Sequence, residues 1–235
     1  SNASTWTVGD GSTSRINLNG LDNLSNGTAW SGLYLKYNVA ANMVLNQTTT
    51  QIVGNGNSEF HFSGNITEAA AGYGLTKEGS SILTLSGANS YSGGSVVTGG
   101  AMTFRNVAAK PSSGTHSFAA GTTVGLGVGD VGFFSASDLD NAFANTLTGN
   151  LAGITLDAAA NIGIDTTAAN FIYASSIPAA SNGLVKLGAN TLTLTGANAY
   201  TGATSILQGI VEVATLADGG TPSNIGAGSA GAAGL

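Results

Sequence analysis

Residues able to carry out chemistry are few in this chain, and they do not gather. His61 and His116 are the only histidines, cysteine is absent, and twelve acids are scattered against six bases. Nucleophilic catalysis needs Ser, His and Asp in defined mutual roles, and neither histidine lies near a motif of that kind. His61 alternates between Phe60 and Phe62, which puts it on the outer side of a strand whose phenylalanines point inward. Asp130, Asp138 and Asp140 could gather around Ca²⁺, but neither the EF-hand spacing nor the Gly-Gly-x-Gly-x-Asp nonapeptide is met, so a solvated loop is expected.

Polysaccharide lyases and hydrolases need converging carboxylates or bases on one face. Here the close acids Asp138 and Asp140 have no basic residue beside them in the sequence. The GxGxxG pattern occurs at Gly127-Val128-Gly129-Asp130-Val131-Gly132 and at Gly226-Ala227-Gly228-Ser229-Ala230-Gly231. Two hits among 36 glycines, with no alternation of strands and helices, read as chance rather than a dinucleotide site. No residue is therefore assigned a catalytic, cofactor-binding or metal-ligating role, and no cofactor is expected.

Composition narrows the class further. Charged residues make up 8% of the chain, against roughly 25% in ordinary globular proteins. The surface is thus polar but mostly uncharged. The net charge of −6 and the lack of any basic cluster argue against nucleic acid. No apolar run reaches the length of about 18 residues that a membrane-spanning helix needs. With 42% hydrophobic residues, regularly spaced Leu, Ile and Val can build a core, which argues against disorder.

What must position these side chains is a repeat. Gly74-Leu75-Thr76-Lys77-Glu78-Gly79 and Ile82-Leu83-Thr84-Leu85-Ser86-Gly87-Ala88-Asn89-Ser90-Tyr91-Ser92-Gly93 recur at an offset of 109, as Gly183 to Gly188 and Thr191 to Gly202. Backwards, Phe60-His61-Phe62 with Ile66 resembles Phe171-Ile172-Tyr173 with Ile177 at an offset of 111. Forwards, Ala101 to Phe104 matches Ile210 to Val213. Leu83-Thr84-Leu85 and Leu192-Thr193-Leu194 alternate with period two, the pattern of strands with one buried face. Gly-Ala-Asn at 87–89 and 196–198 is turn chemistry, since Gly and Asn tolerate positive φ. Short strands, frequent corners and a long repeat predict rungs stacked into a solenoid, with a β-sandwich as the alternative. Recurring Lys77 and Lys186 are expected to lie along a rung with the amine in solvent. Tyr91 and Tyr200 are expected to cover a core corner with the hydroxyl wet.

On these motifs the sequence resembles the autotransporter-associated β-strand repeat, the passenger-associated transport repeat of bacterial autotransporter passenger regions. The pattern Gly-Leu-x-Lys-x-Gly, Leu-Thr-Leu-x-Gly-Ala-Asn-x-Tyr-x-Gly, Gly is met at 74–100 and 183–209. It departs where Gly94 becomes Ala203 and Gly99 becomes Gln208. The resemblance implies an all-β, right-handed parallel β-helix: a single-stranded coil of short strands with loop excursions. It also implies export through the outer membrane, a location secreted or on the cell surface, and linkage in the parent protein to an outer-membrane β-barrel. Partners would be a host surface or an extracellular glycan or protein, and the role a non-enzymatic scaffold for secretion, folding, display or adhesion. A β-helix polysaccharide lyase or hydrolase is the second reading and a carbohydrate- or host-binding module the third.

The expected organisation follows from the repeats. Residues 1–3 look like an expression-tag remnant, 4–59 form N-terminal rungs or a cap, and 60–104 the first repeat unit. Residues 105–170 are rungs with an excursion, 171–213 the second unit, and 214–235 a C-terminal rung cut from a longer passenger. Trp6, Trp30, Tyr34 and Tyr37 fit a cap closing the solenoid end or, alternatively, rings that stack on sugars. Ser135 to Thr148 is the segment with a plausible short helix, with Ser137 as N-cap and Leu139 and Phe143 on one side.

Overall fold

The computed structural model describes residues 5–8, 14–17, 36–54, 58–180, 182–218 and 220–228. Alternating side chains and tight corners wind these residues into a coil. Three strands per turn come first: β1 (Thr5–Val8), β2 (Ser14–Asn17), β3 (Lys36–Val39), then β4 (Asn42–Leu45), β5 (Thr49–Val53), β6 (Glu59–Phe62), then β7 (Ile66–Glu68), β8 (Gly74–Glu78), β9 (Ile82–Leu85). Two per turn follow: β10 (Ser95–Val97), β11 (Ala101–Phe104), β12 (His116–Phe118), β13 (Thr123–Gly127), β14 (Ile154–Leu156), β15 (Asn161–Asp165). The last are β16 (Phe171–Tyr173), β17 (Leu184–Leu187), β18 (Thr191–Leu194), β19 (Thr204–Ile206) and β20 (Ile210–Val213).

Each strand pairs in parallel with its counterpart one turn away. An eight-stranded sheet, β3-β6-β9-β11-β13-β15-β17-β19, forms one face, and a six-stranded sheet, β2-β5-β8-β10-β12-β14, forms the next. Three-stranded sheets β1-β4-β7 and β16-β18-β20 make up the rest. The chain is thus the expected parallel β-solenoid. β3, β4 and β5 pair in parallel with β6, β7 and β8 respectively. Trp6 lies on β1 opposite Met43 and Tyr37 on β3 opposite Phe60, while Trp30 and Tyr34 fall outside the described residues.

Register stacks the inward residues into ladders. Phe60, Leu83, Met102, Val124, Ile162 and Leu184 form one on the eight-stranded sheet, and Phe62, Leu85, Phe104, Leu126 and Ile164 form the next, all buried. Continuous apolar ladders remove each side chain from water by contact with the one above and below, so the core runs the length of the coil rather than forming a ball.

The helix α1 (Ala136–Phe143) fills the excursion between β13 and β14. Its N-cap is Ser135, not Ser137. Ser135 is extended at φ −88°, ψ 170°, its Oγ accepts from the Asp138 amide at 3.2 Å, and Asp138 Oδ2 accepts from the Ser135 amide at 2.8 Å. The acid three residues after Ser135 completes a capping box. Leu139 and Phe143 plug into the core, and the Phe143 ring lies 6.2 Å from Tyr173 on β16.

The two repeat copies do not occupy the same faces. β8 belongs to the six-stranded sheet, whereas its counterpart β17 belongs to the eight-stranded one; β9 lies on the eight-stranded sheet, whereas β18 lies with β16 and β20. The second copy is therefore advanced by one face around the axis. Internal geometry is nonetheless kept, since Phe60 and Phe62 stack on Leu83 and Leu85 as Phe171 and Tyr173 stack on Leu192 and Leu194.

Corner glycines correct one expectation. Gly87, Asn89, Gly196 and Asn198 are not among the positive-φ residues. A Cβ on Gly87 would lie 2.2 Å from the Gly64 carbonyl oxygen, and one on Gly196 2.2 Å from that of Ser175. Close approach of the preceding turn, not φ, demands glycine here. Gly87→Ala and Gly196→Ala are each expected to cost about 1–3 kcal/mol in urea unfolding, while Ser112→Ala on an exposed loop leaves the midpoint unchanged. An unshifted midpoint for both glycine variants would show that the turns can spread apart freely.

Candidate functional site

Polar chemistry in this chain concentrates at the corners of the coil, where a sheet's hydrogen bonding stops. Lys77 stands in an inward ladder between Ile52 and Val97, and Lys186 between Ile164 and Ile206. Both are buried, which corrects the expected solvent exposure. Lys77 Nζ donates to the carbonyls of Glu78, Gly79 and Gly99 at 2.9, 2.8 and 3.2 Å. Lys186 Nζ donates to Leu187, Gly188 and Gln208 at 2.7, 2.6 and 3.2 Å. Each ammonium has three N–H groups and meets three oxygens. Gly79 and Gly188, at φ 74° and 77°, supply the backbone turn at these corners. Burial pulls both amines down to about 8, partly offset by Glu78 and Asp165 respectively. Because the third acceptor is a main-chain oxygen, Gly99 and Gln208 serve equally.

The asparagine of Gly-Ala-Asn ties three turns. Asn89 Oδ1 accepts from the Ile66 amide at 2.8 Å and its Nδ2 donates to the Ala109 carbonyl at 2.7 Å. Asn198 accepts from the Ile177 amide at 2.8 Å and donates to the Asn224 carbonyl at 2.5 Å. Two residues on, Tyr91 and Tyr200 are fully buried, and their hydroxyls are not wet as expected. Tyr91 Oη meets Ser95 Oγ at 2.7 Å, and Tyr200 Oη meets Thr204 Oγ1 at 2.6 Å. Burial raises the Tyr91 phenol and pushes that of Tyr200 up to about 12.

In the first copy the network continues into His116. Ser95 Oγ lies 3.2 Å from Nδ1, and Nε2 lies 3.2 Å from the Pro111 carbonyl. The carbonyl requires Nε2 to carry the proton, so Nδ1 accepts from Ser95 and Ser95 accepts from Tyr91. Burial, together with the Lys110 charge, pulls the imidazole down to about 4, against a smaller opposing effect of the Pro111 carbonyl. Ser95 and His116 have the contacts of a nucleophile and base, yet at 1% and 0% exposure no substrate can reach them. In the second copy Thr204 Oγ1 donates to the Ile225 carbonyl at 3.2 Å instead.

One charged cluster escaped the sequence reading. Arg105 Nη2 binds Glu59 Oε1 at 3.1 Å, and Nε binds Asp165 Oδ2 at 3.2 Å, with all three side chains largely buried. Asp165 stands opposite Gly127, which follows Leu126, the partner of Phe104. The guanidinium thus crosses a turn that offers it no side chain. Asp165 Oδ1 accepts from the Thr167 amide at 2.9 Å and also from its hydroxyl. The cluster clamps turns 46 and 60 residues apart. Its carboxylates both face the guanidinium, which suits cross-linking rather than proton transfer.

The other sequence candidates are dispersed. His61 faces outward as expected, between Asn38 Oδ1 at 3.0 Å and Ser86 Oγ at 2.7 Å. Asp138 caps α1, Asp140 accepts from Tyr173 Oη at 2.7 Å, and Asp130 binds the Val131 amide. Among the described residues no group of three His, Asp or Glu is placed to hold a metal. Gly127 closes β13 and no helix follows it directly, while Ser229 to Gly231 of the second glycine pattern lie outside the described residues.

Comparison with known proteins agrees with these repeated corners. The Passenger-associated-transport-repeat family matches residues 75–103 and 184–213. A curated relative, the Adhesin BmaC autotransporter of Brucella suis biovar 1 (strain 1330), is 31% identical over 175 residues, covering 73% of this chain and 5% of that protein. No solved structure matches.

Two measurements probe the corner networks. Asn89→Ala and Asn198→Ala each strand a buried amide and carbonyl, and each is expected to lower unfolding free energy by about 2 kcal/mol. His116 is neutral in the fold down to about 4, whereas the unfolded chain takes up its proton near 6.5. The unfolded state therefore binds more protons between these values, and stability is lost as pH falls through them, by up to about 3 kcal/mol. His116→Gln is expected to flatten that part of the urea midpoint against pH curve. An identical pH dependence in both proteins would remove His116 from the account.

Proposed function

The chain is autotransporter passenger sequence built on passenger-associated-transport-repeats, and on that premise we propose that it is a non-catalytic scaffold that assists its own export and displays loops at the bacterial surface. The observation that carries this reading is the pairing of each strand only with its neighbours one turn away. A chain stabilised by adjacent turns needs no distant partner, so it can fold progressively as it emerges from a pore. Corner latches at Lys77, Asn89 and Tyr91 and at Lys186, Asn198 and Tyr200 each close on a turn already made or the one just after, which supports a ratchet against sliding back.

In the parent protein this segment would be joined to an outer-membrane β-barrel and held outside the cell. Adhesion to a host surface, or to an extracellular glycan or protein, belongs to the same reading, and the relative's name as an adhesin supports it. A lyase is less well supported: its carboxylates would have to be free to polarise substrate, and Glu59 and Asp165 are both engaged by Arg105.

The test places the chain between an export signal and a translocating barrel and measures antibody labelling on intact cells. The native sequence is expected at the surface, and Asn89→Ala with Asn198→Ala is expected to reduce labelling several-fold, with periplasmic accumulation. Equal labelling would sink the export role. Cleavage of a polysaccharide by the purified chain would sink the scaffold reading.

A further inference from the structure

Between β7 and β16 one side of the coil carries no strand, and there the chain forms corners, two short 3₁₀ turns (Val107–Ala109 and Gly149–Leu151) and the α1 excursion. An open groove of about 440 Å³ lies in this region, lined among others by Ala88, Asn89, Val107, Ala108, Asn150 and Ala152. That volume falls in the range of about 300–1,000 Å³ that small ligands occupy.

Lys110 reaches this groove from within. The residue is only 7% exposed, and its Nζ donates to the carbonyls of Pro111 at 3.1 Å and Ala152 at 2.9 Å. An ammonium has three N–H groups, so one is left over. The contrast with Lys77 and Lys186, whose three donors all meet oxygens, is the informative point. Among the described residues no carboxylate lines the groove, although the chain as a whole carries a net charge of −6. A buried cation with a spare donor, in a concavity without acids, favours an anion.

The walls refine the class. Ala88, Val107, Ala108 and Ala152 offer small apolar surfaces that suit the C–H face of a sugar ring, and the Ser112 hydroxyl and the amide oxygen of Asn150, whose Nδ2 donates to Asp138 Oδ2 at 3.2 Å, offer uncharged groups for sugar hydroxyls. We propose that this groove is a binding subsite for an acidic saccharide unit, with the sugar carboxylate received by Lys110. The inference deepens the adhesive part of the reading above and rests on it.

The test is ligand-observed NMR titration of the intact chain with D-glucuronate, D-glucose and acetate. Glucuronate is expected to bind in the millimolar range and at least tenfold more tightly than either of the others. Lys110→Gln removes the cation, and Ala108→Trp fills the groove from an exposed position; each is expected to weaken glucuronate at least tenfold. Circular dichroism of both variants checks that the coil is intact, and Ala108→Trp keeps the test decisive if Lys110→Gln unfolds. Glucuronate no tighter than glucose, acetate equal to glucuronate, or binding unaffected by Ala108→Trp would each overturn the subsite. If surface labelling succeeds while glucuronate does not bind, only the subsite fails.

Discussion

A parallel sheet wound into a coil hydrogen-bonds well along its flat faces and badly at its corners, where the backbone turns and its carbonyls and amides lose their partners. Leaving such groups buried and unmet costs of order 1–3 kcal/mol each, and a coil repeats its corners every turn. In this chain side chains supply the missing partners. The ammonium groups of Lys77 and Lys186 collect three carbonyls apiece, and Asn89 and Asn198 bridge an amide below to a carbonyl above. The flanking elements follow from that requirement. Gly79 and Gly188 turn the backbone at the same corners, and Gly87 and Gly196 let the neighbouring turn come close enough for the amide to reach.

The same constraint accounts for the scarcity of charge. Stacking places equivalent positions about 4.8 Å apart, so a charged residue repeated at one position would face its own sign in the next turn. Charges survive where geometry separates or matches them. Arg105 spans Gly127 to reach Asp165 and also takes Glu59, and the two buried lysines are 109 residues apart. Several other outer strand positions carry uncharged Thr or Ser, as at Thr76, Ser117 and Thr155, at no electrostatic cost.

Much of the coil could be read from the residues. Alternation at Leu83-Thr84-Leu85 marked the inward ladder, the 109-residue recurrence marked equivalent corners, and Leu139 with Phe143 marked the buried side of α1. What failed did so for physical reasons. Leu75 and Lys77 have the same parity, so period two put both inward, but a lysine in a core ladder is credible only once the corner carbonyls that receive it are known. Tyr91 finds Ser95 four residues on, a contact made by the corner and not by any regular period. Glu59, Arg105 and Asp165 meet only because of register across several turns and the length of the excursion between β13 and β14. Ser137 is not the cap, because the box needs the serine three residues before Asp138, which is Ser135.

The advance of the second copy by one face gives the repeat a particular evolutionary freedom. A motif tied to one side of the coil could be gained or lost only in whole turns. A motif defined by its corner can slip by a third of a turn and still close, because the next corner offers the same unmet carbonyls. Insertions and deletions that would scramble a globular core merely rotate everything beyond them about the axis. A long passenger assembled from such units can change its length in small steps, and each step re-aims the outward loops around the filament without redesigning what holds it together.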